Sequence, residues 1–414
     1  MPPSDHGAGG GLSDFGMNQL SFDKGGIMIR NITLSQFVLF LSITSAAQTP
    51  SVKTLVNFNV VNGSFASSTP VQGPDGALYG TTQGGGANSK GTVFRVTLSG
   101  KGKTLYSFCA QSNCSDGAFP LSGLLLAADG NLYGTTSQYG FSLGTVFKIT
   151  TAGVLTTVHT FTKADGYDPA CSLIQDSSGN FYGTTQVGGA NNDGTIFMIT
   201  SSGTFTKLHD FDGTDGAAPY SELLLASDGN LYGTAPFGGT DNLGTVFCIT
   251  PSGTLTVLHS FVSAEGNGPR AGLVQASDGN LYGTNTSGPL GRYGTIFRIT
   301  LSGTLTILHK FNGWNGQQPC AAMIQASDGD LYGTTLKGGI PMINEGNIFK
   351  ITLAGEFTRL YSFPGMPTGG AMPMAGLLQA TDGNFYGTTL SGGVGLTDAG
   401  TVFKVVTGLG SLGH

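Results

Sequence analysis

ELLLASDGNLYGTAPFGGTDNLGTVFCITPSGTLTVLHSF, residues 222–261, is the stretch that decides the fold. It breaks into four β-rich runs, Glu222–Ala226, Leu231–Thr234, Thr245–Thr250 and Thr254–Phe261. Asp228-Gly229 separates the first two runs and Ser252-Gly253 the last two. Asp-Gly dipeptides supply the positive φ of tight two-residue hairpins. No 3.6-residue apolar period runs through the stretch, which excludes a helical unit. Four short strands in about 50 residues make one β-propeller blade.

The unit recurs along the chain. Tyr-Gly-Thr begins at Tyr79, Tyr133, Tyr182, Tyr232, Tyr282, Tyr332 and Tyr386, at spacings of 49 to 54 residues. A second column, mostly Gly-Thr-Val/Ile-Phe, ends at Phe94, Phe147, Phe197, Phe247, Phe297, Phe349 and Phe403. A third phenylalanine closes a Thr-rich segment at Phe108, Phe161, Phe211, Phe261, Phe311 and Phe363, and is missing after Val406. Its extra copy, Lys53–Phe58, stands ahead of the first unit. The expected fold is all-β: a seven-bladed β-propeller of four-stranded blades over 48–408, closed by an N-terminal strand (53–58) that completes the last blade. The blades are expected near 66–108, 120–161, 169–211, 219–261, 269–311, 319–363 and 373–406, with 409–414 a short tail. Without the extra strand the last blade would present an open edge, an aggregation hazard. The unbroken Leu124-Leu125-Leu126 fits strands buried on both faces.

Composition narrows the class. Of 414 residues, 69 are glycine, 39% are hydrophobic and only 10% are charged. That is enough apolar material for a core and too little charge for a disordered chain. Glycine without a three-residue period excludes collagen. A net charge of −6, with 18 Lys and Arg scattered singly, excludes a nucleic-acid surface. LSQFVLFLSITSAA (34–47) follows Arg30 and closes on small residues, the pattern of a secretory signal over 28–47. The run is too short to span a bilayer. Residues 1–27, Gly-rich and without periodicity, read as an over-extended start, Met28 being the natural initiator. The expected protein is secreted or periplasmic, monomeric, and free of a membrane span in its mature part. Cys109 and Cys114 share one loop and can close a small disulfide after export. Cys171, Cys248 and Cys320 fall in three separate units, without paired zinc spacing.

The recurring Asp-Gly-Asn-Leu-Tyr-Gly-Thr-Thr, Gly-Thr-Val-Phe-Lys-Ile-Thr and Ser-Gly-Thr-Leu segments resemble the GloVer tandem repeats over about residues 53–406. Such repeats occur in exported bacterial proteins described as choice-of-anchor. The resemblance implies a repeat propeller with an export signal and no established activity. It also implies, often, a C-terminal sorting anchor, which no segment here matches. The repeat is distantly similar to NHL-type and streptogramin-lyase propellers, so an enzyme stays in view; fold does not decide function.

Most polar residues recur with the unit and read as structural. His159, His209, His259 and His309 share a column with Tyr106, Tyr361 and Asn57. Arg95, Lys148, Arg298, Lys350 and Lys404 follow the second-column phenylalanine as snorkelling strand residues. No histidine is left for a Ser-His-Asp arrangement. Gly84-Gly85-Gly86 lacks the Gly-Lys-Ser/Thr of a phosphate loop. Asp215-Gly216 with Glu222 matches only the second half of a calcium loop.

Variation concentrates beside the proline that opens each inner strand, at Ser67, Leu121, Ala170, Tyr220, Arg270, Cys320 and Met374. If the inner strands line a channel, Tyr220, Glu222 and Arg270 cluster at its mouth. Trp314, the only tryptophan, lies on the loop before blade six and is expected to join them. A charged pair with exposed aromatics suits a sugar or peptide. Asp116, Asp165, Asp168, Asp215 and Glu265 rim the same face. Asp165, Asp168 and Asp215 are the candidates for a metal, calcium, although capping loop turns is the ordinary role of such acids. No other cofactor is expected. The expected function is a non-enzymatic binding or scaffold module engaging a glycan, envelope polymer or protein through its loop face. The alternative is a secreted polysaccharide or lactone lyase or hydrolase, with Glu222 and a rim aspartate as its paired carboxylates and Arg270 neutralising an acid on the substrate.

Overall fold

The computed structural model describes residues 50–412, apart from 138–142, 170, 340–343, 366, 368 and 394–397. The leader (1–27), the export segment (28–47) and Ala170 lie outside the described residues.

Each unit folds as an antiparallel meander, and the chain builds seven four-stranded sheets in a ring. In blade four the strands are Leu224–Leu225, Leu231–Ala235, Thr245–Ile249 and Leu255–Ser260. The seventh sheet runs in the order Ser51–Asn57, Thr401–Val406, Phe385–Thr389, Leu378–Gln379. The N-terminal strand therefore supplies the outer edge of the last blade, pairing Ser51 with Val406 and Asn57 with Thr401. Among the described residues there is no α-helix, and no helix long and apolar enough to cross a membrane.

The Tyr-Gly-Thr column is explained position by position. Tyr232 is buried between blades, and its hydroxyl donates to Asp228 at 2.7 Å. Gly233 lies under the Phe247 ring, where a Cβ would come within 2.5 Å of Cζ. The Thr234 hydroxyl donates across the seam to the Ala271 carbonyl at 3.0 Å. The same hydroxyl bond recurs around the ring and closes it, from Thr388 to the Ser68 carbonyl at 2.9 Å. In blade three the turn carries Ser178 where its neighbours carry aspartate. Asp176, two residues upstream, puts its carboxylate on the Tyr182 hydroxyl instead, at 3.0 Å.

The hairpin turns differ from expectation. The Gly229 amide bonds the Ala226 carbonyl while the Ala226 amide bonds the Asn230 carbonyl. That is a three-residue loop with a left-handed glycine in its third place, φ +83° at Gly229, and Asp228 is not among the positive-φ residues. The Asp228 carboxylate accepts from the Asn230 amide, which fixes the turn.

Packing lies between blades rather than within them. The seam of blades four and five gathers Tyr232, Val246 and Phe261 against Leu273, Leu281, Phe297 and Ile299. The closing seam repeats it with Phe58, Tyr386 and Val402 against Leu78, Phe94 and Val96. Leu124 and Leu126 pack into one seam and Leu125 into the next, so the unbroken apolar run is buried on both sides. A glutamine belt adds a polar stitch: the Ser227, Ser277 and Ser327 amides donate to Gln275, Gln325 and Gln379 of the following blade. Thr381 closes it on Gln72.

The loop face is tied down as well. In blade four the incoming loop and the loop between strands two and three meet at an Ala217–Phe237 bridge, and equivalent bridges recur from Ser64–Gly84 to Gln317–Lys337. In blade seven the bridge lengthens into a small ladder, Gly370–Ala371 with Ser391–Gly392.

Candidate site at the channel mouth

Among the described residues, six of the variable positions that open the inner strands share one cavity. Ser67, Leu121, Tyr220, Arg270, Cys320 and Met374 all line one axial cavity of about 100 Å3. Tyr220, Arg270, Cys320 and Met374 also border a larger hollow of about 290 Å3 on the loop face, completed by Thr286, Ser287, Gln318 and Leu336. Sequence reasoning missed these last four. They lie on loops of blades five and six, and only ring geometry shows which loops lean inward.

Two residues further along each segment stands a second row of residues lining the same cavity. Here Glu222 projects across Gly272, where a Cβ would stand 2.6 Å from its Cγ. On the other side lies Ser172, whose hydroxyl accepts from the Gly123 amide at 3.1 Å. Small residues at Gly123, Gly272, Ala322 and Gly376 leave the room that one long acid fills. Burial pushes the Glu222 carboxyl above its ordinary range, and a hydrogen bond with Ser172 offsets only part of that. Burial likewise raises the Tyr220 phenol, against the pull of Arg270, and pushes the Cys320 thiol up to about 12. The channel thiols are therefore not thiolates at neutral pH and are poor nucleophiles. Arg270 itself is exposed.

Trp314 does not join this group. It is 64% exposed on its loop, and its carbonyl accepts from Arg359 at 2.8 Å. Trp314 lines neither of the two cavities, and it is the preceding Gly313 that lies against the Tyr293 ring.

The rim acids have partners of their own. Asp116 accepts from the Tyr106 hydroxyl and from the Ala110 and Gln111 amides. Asp165, Asp215 and Glu265 each accept a loop amide and face the histidine six residues before, the His209–Asp215 pair at 2.6 Å. Asp168 accepts from the Ser137 hydroxyl. The histidine column thus serves to hold the loops between blades. Among the described residues no group of three or more His, Cys, Asp or Glu is placed to hold a metal. The basic column is similarly committed: Arg95, Lys148 and Lys404 pair with the turn aspartates Asp75, Asp129 and Asp382. Cys109 and Cys114 form a disulfide, and Cys171, Cys248 and Cys320 are free thiols.

A family model described as a Gloeobacter/Verrucomicrobia repeat matches residues 38–224, 144–340 and 273–412. No curated protein matches the chain. Among solved structures it is similar to a gluconolactonase from Xanthomonas campestris, at 14% identity over 71% of this chain and 89% of that one, TM-score 0.42. A protein of Bacteroides uniformis assigned as a 6-phosphogluconolactonase is 15% identical, over 75% of this chain and 88% of that one, TM-score 0.49. Its Bacteroides fragilis counterpart is 20% identical, over 75% and 90%, TM-score 0.46.

Proposed function

The chain belongs to the Gloeobacter/Verrucomicrobia repeat family, and from that premise we propose that it is an exported binding module whose ligand is an acidic glycan end held at the channel mouth. One observation carries this reading. The polar side chains that repeat with the blade are committed to turns, loops and seams, whereas Tyr220 and Arg270 do not repeat and border the same hollow. Arg270 supplies the cation for a sugar carboxylate, Tyr220 an aromatic face, and Thr286, Ser287 and Gln318 the hydrogen-bonding edge that fixes orientation. A hollow of about 290 Å3 matches a terminal sugar rather than a long chain segment.

The hydrolytic alternative draws on Glu222, a carboxyl whose raised pKa suits a general acid. Glycoside hydrolysis asks for a second carboxylate across the bond. Glu222 is the one acid among the described residues lining these two cavities, which favours binding.

The test is calorimetric titration with galacturonate oligomers and their neutral galactose counterparts. Arg270→Gln is expected to weaken the acidic ligand by about tenfold or more, the value of a lost charged hydrogen bond, while leaving neutral binding nearly unchanged. Equal affinity for both sugars, or their slow cleavage by wild type but not Glu222→Gln, would overturn the reading.

A further inference from the structure

Two loops between blades differ by two acid-to-amide exchanges and by Thr214 against Trp314: FDGTDG (211–216), which leads into blade four, and FNGWNG (311–316), which leads into blade six. They fold alike. The Asp212 carboxylate accepts from the Thr214 and Asp215 amides, and the Asn312 side-chain oxygen accepts from the Trp314 and Asn315 amides. Asp215 accepts from the Asp212 amide at 3.1 Å, and Asn315 from the Asn312 amide at 2.9 Å. Gly213 and Gly313 donate to the Gly216 and Gly316 carbonyls, each at 3.1 Å.

The loops part at the histidine. Asp165, Asp215 and Glu265 set a carboxylate against the histidine six residues before them. Asn315 sets an amide against His309, Nδ2 to Nε2 at 2.9 Å. The orientation of that amide is fixed: its oxygen already accepts the Asn312 N–H, so Nδ2 donates and Nε2 accepts. Burial pushes the His309 imidazole down to about 4, so it carries no charge at neutral pH. From the next blade Phe357 stacks on the imidazole at 3.9 Å, and Arg359 donates to the Trp314 carbonyl.

Asparagine is chemically labile, and most so before glycine, where no side chain shields the nitrogen that attacks it. The chain has such pairs at Asn62, Asn267, Asn312 and Asn315. Folding does not leave their attacking nitrogens equally free. The Gly268 N–H is held by the Leu243 carbonyl and the Gly313 N–H by the Gly316 carbonyl. The Gly63 and Gly316 N–H groups have no partner among the described residues. Of these two free sites, Asn315 alone faces a histidine.

We propose that Asn315-Gly316 is a self-modification site, where loss of the side-chain amide completes a fourth histidine–carboxylate clasp. The Gly316 nitrogen attacks Asn315 Cγ, and the new N–C bond closes a succinimide. The Cγ–Nδ2 bond breaks, and the side-chain nitrogen leaves as ammonia with the proton the Gly316 nitrogen gave up. Water then cleaves the bond between the Gly316 nitrogen and Cγ, leaving a carboxylate on an unchanged main chain. Opening at the other carbonyl gives isoaspartate, which lengthens the main chain beside the Gln317–Lys337 bridge. The loop into blade four shows that the aspartate product needs no rearrangement, since His209 and Asp215 meet there at 2.6 Å. The site is separate from the channel mouth and does not depend on what binds there.

The experiment ages the full chain at neutral pH, folded and in urea, and follows each asparagine by peptide mass mapping. Asp-N protease, which cuts before aspartate but not isoaspartate, separates the two products. In urea all the Asn-Gly pairs are expected to convert. In the folded chain Asn62 and Asn315 convert, Asn315 to aspartate, while Asn267 and Asn312 are slower by about fivefold or more, the value of the backbone bond each must give up. Asn315→Asp is expected to move the His309 titration upward in NMR, because a facing carboxylate favours the imidazolium. An Asn315 that stays an amide in the folded chain while converting in urea overturns the assignment. So does conversion of Asn267 or Asn312 at the same pace, isoaspartate as the main product at Asn315, or a His309 titration unmoved in Asn315→Asp.

Discussion

A carboxylate that accepts a tyrosine hydroxyl and a backbone amide at once is well satisfied, and the turn aspartates are held accordingly. Burial alone would raise Asp228, but the Tyr232 hydroxyl and the Asn230 amide outweigh it and keep the group below the usual carboxylate range. Glu222 is the opposite case, a carboxyl whose surroundings favour the protonated form. A group with a raised folded pKa contributes stability that is complete below its unfolded value, about 4.3 for glutamate, and lost as pH rises through the folded value. Glu222→Gln, which cannot ionise, is therefore expected to match wild type in urea unfolding near pH 4 and to exceed it progressively toward neutrality. A difference constant with pH would mean that Glu222 ionises as freely in the folded chain as in the unfolded one. The repeating residues were legible in the sequence because each copy corroborates the others. Their partners were less so: the acid serving Tyr182 sits two positions upstream of its column, and the histidine–acid pairs bridge a strand end and a loop. Trp314 misled because rarity marks a residue without saying which way its loop faces.

Strands and turns explain substitutions that look arbitrary in the repeat. Two blades lack the belt glutamine, blade two with Leu126 and blade four with Leu225. The first absence has a cause in the neighbouring turn. Where Ala128 and Ser227 offer an amide, blade one has Pro74, which has no N–H to give. Blade three offers Ser177 at that place, so the second absence has no such cause. Leu225→Gln is expected to add the missing stitch and raise stability by about 1 kcal/mol, measured by chemical denaturation. Leu126→Gln should gain nothing. Equal gains at both sites would show that the effect comes from removing half-exposed leucines rather than from the belt. Strand number, order and the closing strand could be read from the sequence, since hydrophobic columns and their offset at the two ends carry that information. The turn type could not: Asp-Gly occurs in two-residue and three-residue loops alike, and only the paired backbone bonds tell them apart.

At the scale of the whole ring, the single non-sequential joint is the seventh sheet. A chain beginning after Asn57 keeps every other strand but exposes the Thr401–Val406 edge and uncovers the seam lined by Phe58, Phe94 and Tyr386. Such a truncation is expected to elute as oligomers in size-exclusion chromatography where the complete chain elutes as one species, because an unpaired edge recruits other strands. A monomeric, equally stable truncation would mean that the other six seams suffice. The same joint has a temporal meaning. The first strand of the ring to emerge in synthesis has no partner until Thr401–Val406, the last strand of the ring, emerges. Six blades can assemble in order as the polypeptide lengthens, yet none of them can tell whether the remainder will arrive. Only the seventh registers that, since it needs the first and last strands of the ring together. The fold thus contains its own check on closure: a product cut short before Thr401–Val406 is expected to stay an open arc, cleaved faster in limited proteolysis than the closed ring.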